Sequence, residues 1–91
     1  MPITVFLDVQ STTNQYDQVM QDLAAAGEAA PRGRLCHVAQ ADGGGMHVVD
    51  IWDSPAAFER FAGVLLPILA KQGIPAPAPK IVPTHNFLRG A

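Results

Sequence analysis

The sequence predicts an α+β protein of the ferredoxin-like class, with the element order βαββαβ. Three observations lead to this prediction. Strand-like and helix-like periodicities alternate along the chain, three consecutive glycines separate two of the strands, and a serine–proline pair precedes the second helix. Right-handed crossovers then give a four-stranded antiparallel sheet with both helices on one face. The 91 residues are expected to form a single domain, residues 1–91.

Residues 3–9 predict the first strand, because branched apolar side chains occur at every second position. One face of this strand is apolar, and the other carries Thr4, Phe6 and Asp8. The first helix follows a run of possible N-caps at residues 11–14. Its apolar positions have helical spacing and are interpreted as core packing: Tyr16, Val19, Met20 and Leu23.

Residues 35–41 and 46–52 predict a hairpin closed by a four-residue loop, residues 42–45, since glycines adopt the positive φ that such loops need. With Ala41 opposite Met46, this register places His37 opposite Asp50. A slip of one residue would exchange the two faces of the strand. The same register predicts three further pairs: Val38 with Val49, Cys36 with Ile51, and Leu35 with Trp52.

Ser54 and Pro55 predict the start of the second helix, with the serine as N-cap and the proline at the first helical position. Pro67 lies inside the helical pattern, so a kink or break is expected near residues 64–66. The residues after Gly73 are expected to run extended over the surface. Residues 80–87 predict the last strand, in which Pro83 indicates an edge position or a bulge.

The composition predicts a homodimer. Apolar residues make up 48% of the chain and charged residues 15%, and strands 1 and 3 are apolar on both faces. Two helices cover only one face of the sheet, and a chain this short cannot supply a second cover. A second copy, packed sheet to sheet, would supply it.

Charge and hydropathy restrict the other partners and the location. The net charge of −2 provides no basic surface for nucleic acid, and no apolar run approaches the roughly 20 residues that span a membrane. Cys36 is the single cysteine, and no signal peptide is evident at the N-terminus. A cytoplasmic protein without nucleic-acid or membrane partners is therefore expected.

Residues 51–58, Ile51-Trp52-Asp53-Ser54-Pro55-Ala56-Ala57-Phe58, resemble the strand-to-helix junction of the antibiotic biosynthesis monooxygenase-like family of the dimeric α/β-barrel superfamily. The glycine hairpin and the closing Thr84-His85-Asn86 add to this resemblance. It implies a barrel formed by two copies and a pocket lined by Trp52. The superfamily includes cofactor-free oxygenases, haem-degrading enzymes and lactone isomerases. The haem-degrading branch places a histidine on the second helix, but residues 54–73 contain none, so no cofactor is expected.

His37 and Asp50 are the candidate catalytic residues. A carboxylate that orients an imidazole leaves the ring able to accept a proton from a phenol or an enolisable carbonyl. Phe6 and Trp52 would form the wall of the substrate pocket, together with Phe58 and Phe61. In the alternative interpretation, His37 and Asp50 are a structural cross-strand pair worth about 0.2–1 kcal/mol.

His85 and Asp8 are further candidates for substrate binding, because strand 4 would lie beside strand 1 and bring the two together. His47 is interpreted as a surface residue near the hairpin. The three histidines lack the spacing of metal ligands, so no metal is expected. Cys36 is interpreted as a small core residue rather than a nucleophile.

Three functions remain open on the sequence. The first is a homodimeric, cofactor-independent monooxygenase-like enzyme that acts on an apolar or aromatic small molecule. The second is a non-catalytic protein of the same fold that binds a small molecule or takes part in an assembly. The third is an isomerase or cyclase that uses the same base. A pocket containing His37 would favour catalysis, whereas a space filled by Trp52 and the phenylalanines would favour binding.

Overall fold

The order of the secondary-structure elements follows the predicted βαββαβ pattern. A computed structural model describes residues 1–90. The sheet order is β2-β3-β1-β4, with every neighbouring pair antiparallel. This arrangement confirms the ferredoxin-like α+β class. The elements are β1 Ile3–Val9, α1 Thr13–Ala25, β2 Arg34–Asp42, β3 Gly45–Trp52, α2 Pro55–Lys71 and β4 Lys80–Pro83.

The β2–β3 hairpin has the predicted register but a shorter turn. Asp42 pairs with Gly45, so Gly43 and Gly44 alone form the turn, with φ of 59° and 84°. Positive φ at both central positions suits the right-handed twist of the two strands. The expected four-residue loop is therefore wrong, while the pair His37–Asp50 is confirmed.

The other end of the hairpin contains a β-bulge between Arg34 and Cys36. As a result Arg34, and not Leu35, lies opposite Trp52, and the predicted Leu35–Trp52 pair is wrong. Leu35 is 39% exposed. Because a bulge adds one residue to one strand, it redirects the side chains around it.

The core lies between the helices and one face of the sheet. Trp52 has no exposed surface, and its ring packs against the rings of Phe58 and Phe61 at centroid distances of 5.9 and 5.1 Å. Burying a side chain of this kind stabilises the fold by roughly 1.5–3 kcal/mol. The buried apolar residues of this core are Ile3, Val5, Leu7, Val19, Leu23, Val48, Trp52, Phe58, Phe61, Leu69 and Ile74.

Both helices begin at a side-chain cap. Thr12 and Gln15 form a reciprocal capping box at α1, which satisfies two backbone donors at once. Ser54 accepts a hydrogen bond from the backbone N–H of Ala57 at 3.2 Å, with Pro55 following as predicted. These caps explain why both helices begin where they do.

Helix α2 continues past Pro67 to Lys71, so the helix does not break near residues 64–66. The proline ring removes one helical donor, which leaves the carbonyl of Gly63 without its partner. Gly63 and Pro67 are both exposed, so water can satisfy that carbonyl.

The C-terminal part differs from the prediction in two places. Strand β4 ends at Pro83, although residues 80–87 were predicted as strand; Pro83 does lie on an edge strand, as predicted. Ile74 is buried and donates its backbone N–H to the Leu69 carbonyl, instead of running over the surface. The turn at Gly73, φ 70°, folds this residue back onto the helix.

The second face of the sheet, which we call the outer face, is covered by no helix in residues 1–90. It carries an apolar surface in which Phe6, Val38 and Val82 are 41%, 44% and 37% exposed. Val49 and Ile51 lie between them, half-buried. Among residues 1–90 there is also no helix with the length and apolar character needed to cross a bilayer.

Candidate functional site

The site begins with a carboxylate in an otherwise apolar row. The inward side chains of β3 are those of Met46, Val48, Asp50 and Trp52, and all are buried. A buried carboxylate requires a partner. His37, opposite on β2, supplies it: its Nδ1 lies 2.5 Å from Oδ1 of Asp50. The Asp50 side chain is 4% exposed and that of His37 is 21% exposed, so the pair meets solvent only on the histidine side.

Tyr16 of α1 completes a chain of three side chains. Its hydroxyl oxygen lies 2.6 Å from Nε2 of His37, so both nitrogens of the imidazole are occupied. The helical spacing of Tyr16 indicates core packing and does not reveal this role. The available signal was the phenol itself, because the hydroxyl of a partly buried tyrosine usually has a hydrogen-bond partner.

The hydrogen bonds among these three side chains assign the position of each proton. An ionised carboxylate only accepts, so Nδ1–H of His37 donates to Asp50. Nε2 is then an acceptor, and the Tyr16 hydroxyl donates to it. The imidazole is therefore held in one tautomer with its lone pair toward Tyr16.

The phenol of Tyr16 remains protonated at neutral pH. Burial raises its pKa above the ordinary value of 10.0, and the charges of Asp50 and Asp17 raise the pKa further. The positive charge of Arg34 acts in the opposite direction and is the second-largest influence on this pKa. Arg34 is thus electrostatically coupled to the hydroxyl of Tyr16.

An apolar pocket lies between the helices and the sheet, beside the hydrogen-bonded side chains of Tyr16, His37 and Asp50. The empty volume of this pocket, counted out to its mouth, is about 500 Å³. Only about 40 Å³ of it is wide enough to hold the centre of a water molecule. A pocket this narrow suits a slender or flat molecule. The polar residues on its wall are Ser11, Tyr16, Arg34, His37 and Asp50; the apolar ones include Leu7, Val48, Phe61, Leu65, Ile74 and Pro77.

Of the four aromatic residues expected at the pocket, Phe61 alone is part of its wall. Trp52 and Phe58 are buried in the adjoining core. The indole Nε1 of Trp52 has no hydrogen-bond partner among the described residues. The structure therefore places Trp52 in the core next to Phe61, and not on the surface that a ligand would contact.

Phe6 and Asp8 lie on the outer face, away from the pocket, because they alternate with the buried residues of β1. The structure does not bring Phe6 to His37. Asp8 contacts Nδ1 of His47 at 2.6 Å, and not His85 as expected. His85 follows the end of β4 and is exposed.

Four lining residues besides Tyr16 were not expected from the sequence: Ser11, Arg34, Ile74 and Pro77. Ser11 is 5% exposed, and its hydroxyl has no partner among residues 1–90. Ile74 and Pro77 belong to the segment that was expected on the surface. The Gly73–Ile74 pair was the available signal, because an apolar residue directly after a C-terminal glycine commonly folds back onto its helix.

The described residues contain no group of three or more histidine, cysteine, aspartate or glutamate side chains placed to hold a metal ion. His47 is near two carboxylates, Asp8 and Asp42, with the second at 3.8 Å. All three of these side chains are largely exposed to solvent.

Comparison with protein-family models found no match, and comparison with curated proteins found none either. Solved structures do match over nearly the whole chain. A candidate antibiotic biosynthesis monooxygenase from Caulobacter crescentus is 20% identical, with a TM-score of 0.71, and the match covers 93% of this chain and 91% of that one.

Two further structures have the same fold. SnoaB, a cofactor-independent oxygenase from Streptomyces nogalater, is 15% identical with a TM-score of 0.67 and 98% coverage of both chains. The NE2512 protein of unknown function from Nitrosomonas europaea is 16% identical with a TM-score of 0.70, and the match covers 99% of this chain and 95% of that one. At these identities the likeness establishes the fold. The resemblance of residues 51–58 is thereby confirmed at the level of the fold.

Proposed function

We propose that this chain is a homodimeric member of the antibiotic biosynthesis monooxygenase-like family, and that it removes a proton from a slender apolar molecule in the pocket between helices and sheet. The observation that carries the proposal is the Tyr16–His37–Asp50 chain, which reaches an apolar pocket. A proton acceptor at the wall of a water-poor cavity is the arrangement that general base catalysis requires.

The proton path follows from the occupied nitrogens of His37. Since Nε2 accepts the hydroxyl of Tyr16, the substrate meets the phenol oxygen first. That oxygen takes the substrate proton while its own proton moves to Nε2. Asp50 then stabilises the imidazolium that forms, as a carboxylate does in a nucleophile–histidine–carboxylate triad.

The substrate carbanion that this proton removal leaves also accounts for oxygenation without a cofactor. An activated CH₂ group that loses a proton becomes a carbanion, which transfers electrons to O₂ and forms a carbon–oxygen bond. Protonation then gives the hydroperoxide R₂CH–OOH. Loss of water then leaves a carbonyl, so that R₂CH₂ and O₂ give R₂C=O and H₂O. All four electrons come from the substrate. The fold shared with SnoaB, a cofactor-independent oxygenase, supports this version over an isomerase, in which the carbanion would be reprotonated at another carbon.

A non-catalytic binding protein is the second candidate. It is favoured by the narrowness of the pocket, in which only about 40 Å³ is wide enough to hold the centre of a water molecule. In that case His37 and Asp50 are a structural pair, and Tyr16 only satisfies the second nitrogen of the ring. The two candidates differ in whether proton transfer occurs.

Deuterium exchange distinguishes these candidates. 2-Tetralone, an aromatic ketone with acidic α C–H bonds, is incubated with the protein in D₂O and exchange is followed by NMR. We expect exchange above the buffer rate, and a decrease of about 10²–10⁴-fold in His37→Asn. Tyr16→Phe should also slow exchange, because it removes the oxygen that meets the substrate. Oxygen uptake in the same samples separates oxygenation from isomerisation.

His47→Asn is the matched control, since His47 also pairs with an aspartate but lies outside the pocket. It should leave the exchange rate unchanged. Equal exchange in His37→Asn and the unmodified protein, with both folded by circular dichroism, would exclude His37 as the base.

A further inference from the structure

Among residues 1–90, Arg34 is the one cation on the wall of the pocket. Its guanidinium carbon lies 5.9 Å from the centre of the Phe61 ring, which is within the range of a cation–π contact. No carboxylate of residues 1–90 lies within ion-pair distance of this guanidinium. Asp50, the carboxylate on the pocket wall among residues 1–90, is engaged by His37.

The position of Arg34 depends on the bulge in β2. With regular pairing Leu35 would lie opposite Trp52, but the bulge puts Arg34 there. A charged side chain is thereby placed at a half-buried position beside an apolar cavity. Placing a cation there without a partner anion has a desolvation cost, which an anionic ligand would offset.

We propose that the pocket binds an apolar ligand through an anionic oxygen, a phenolate or enolate, that pairs with Arg34. This inference rests on the proposed function, because Arg34 would pair with the anion that Tyr16 and His37 produce. Guanidinium groups bind oxyanions through directed, charge-assisted hydrogen bonds. The buried Ser11 hydroxyl on the same wall has no partner in residues 1–90 and provides a further donor near the ligand.

The charges around Tyr16 agree with this placement. Arg34 favours negative charge on the phenol oxygen, while Asp50 and Asp17 disfavour it. An anion formed next to Tyr16 is therefore within the electrostatic influence of Arg34. Arg34 would stabilise the anion that proton removal leaves.

Binding of 4-nitrophenol tests the inference without any turnover, because its anion absorbs at a longer wavelength than the neutral phenol. We expect the protein to lower the pH at which the bound probe ionises. Arg34→Met keeps a long side chain over Phe61 but removes the charge, and should weaken 4-nitrophenolate binding about 10–100-fold. The affinity for 4-nitrotoluene, which is similar in shape and cannot ionise, should be unchanged.

Arg32→Met is the matched control, since Arg32 is exposed and lies outside this pocket; it should bind both probes as the unmodified protein does. Equal affinity of Arg34→Met and the unmodified protein for 4-nitrophenolate, or no binding of the anion by either, would overturn the inference. The result is separable from the proposed function. Anion binding that depends on Arg34, combined with normal exchange in His37→Asn, would refute the base assignment alone.

Discussion

At the scale of single residues, two hydrogen-bonded histidine–aspartate pairs within residues 1–90 have different surroundings. His37 and Asp50 lie on the inner face at the pocket, and a third group, Tyr16, binds the second ring nitrogen. His47 and Asp8 lie on the outer face near the hairpin, with side chains 44% and 88% exposed. Burial and the third partner, rather than the pairing itself, mark the first pair as the candidate site.

The exposed pair provides a pH-dependent prediction. The hydrogen bond to Asp8 is the largest cause of a raised pKa at His47, and desolvation, the second-largest influence, opposes it. A raised pKa means that the folded protein binds this proton more tightly than the unfolded chain does. The stabilisation is therefore complete below the ordinary value of 6.5, and it is lost as pH rises through the pKa of the folded state.

An NMR titration of the imidazole of His47 measures this effect. Asp8→Asn should move the midpoint of the titration to lower pH, because the charged partner is gone. The accompanying change in stability should be small, since exposed ion pairs contribute little. An unchanged midpoint in Asp8→Asn would show that the pair does not persist in solution.

At the scale of elements, one turn connects the start of β2 to the start of α2. The carbonyl of Gly33 accepts the backbone N–H of Asp53 at 2.8 Å. Gly33 has φ of 90°, and a Cβ there would lie 2.6 Å from Cβ of Ala57 and 2.7 Å from Oδ1 of Asp53. The close contact with α2 and the positive φ both require glycine.

Gly33→Ala should therefore destabilise the fold more than Gly27→Ala does. Gly27 also has a positive φ, 80°, but a Cβ there meets nothing within 4 Å. The strain alone should lower the free energy of unfolding by about 1–2 kcal/mol in Gly27→Ala. Overpacking against α2 should add about 1–3 kcal/mol in Gly33→Ala. Urea denaturation of both variants measures the difference, and equal losses would show that the turn relaxes away from α2.

At the scale of the whole molecule, the outer face of the sheet is an apolar surface that no helix of residues 1–90 covers. Its apolar side chains are exposed in the single chain, with Phe6, Val38 and Val82 at 41%, 44% and 37%. Contiguous exposed apolar surface on a small domain is typical of an interaction site. A second copy of this chain, placed with its own outer face against the first, is the partner that we propose.

Val38→Asp tests this proposal, because it introduces a charge at the outer face, where Val38 pairs with Val49. We expect a dimer for the unmodified protein and a monomer for the variant in sedimentation velocity at low concentration. Leu66→Asp is the control: Leu66 is similarly exposed, 43%, but it lies on α2. It should remain dimeric. A monomeric unmodified protein of full stability would contradict the proposal.

The sequence by itself determined the features that depend on neighbouring residues. Alternation identified the inward face of β1, the serine–proline pair located the start of α2, and the glycine turn set the register that pairs His37 with Asp50. These patterns are local because strand side chains have a period of two and a cap acts within one helical turn. That alternation also put Phe6 on the face away from the helices, so its assignment to the pocket contradicted the pattern.

Only the tertiary structure decided which elements meet. Tyr16 has the periodicity of a core residue, and the pattern of α1 cannot show that its hydroxyl reaches His37 on β2. Arg34 enters the pocket because of a bulge, whose position depends on how β2 fits against β3 and the turn before it. Helical periodicity specifies the face of a side chain but not its partner across the core, and those contacts between elements form the candidate site.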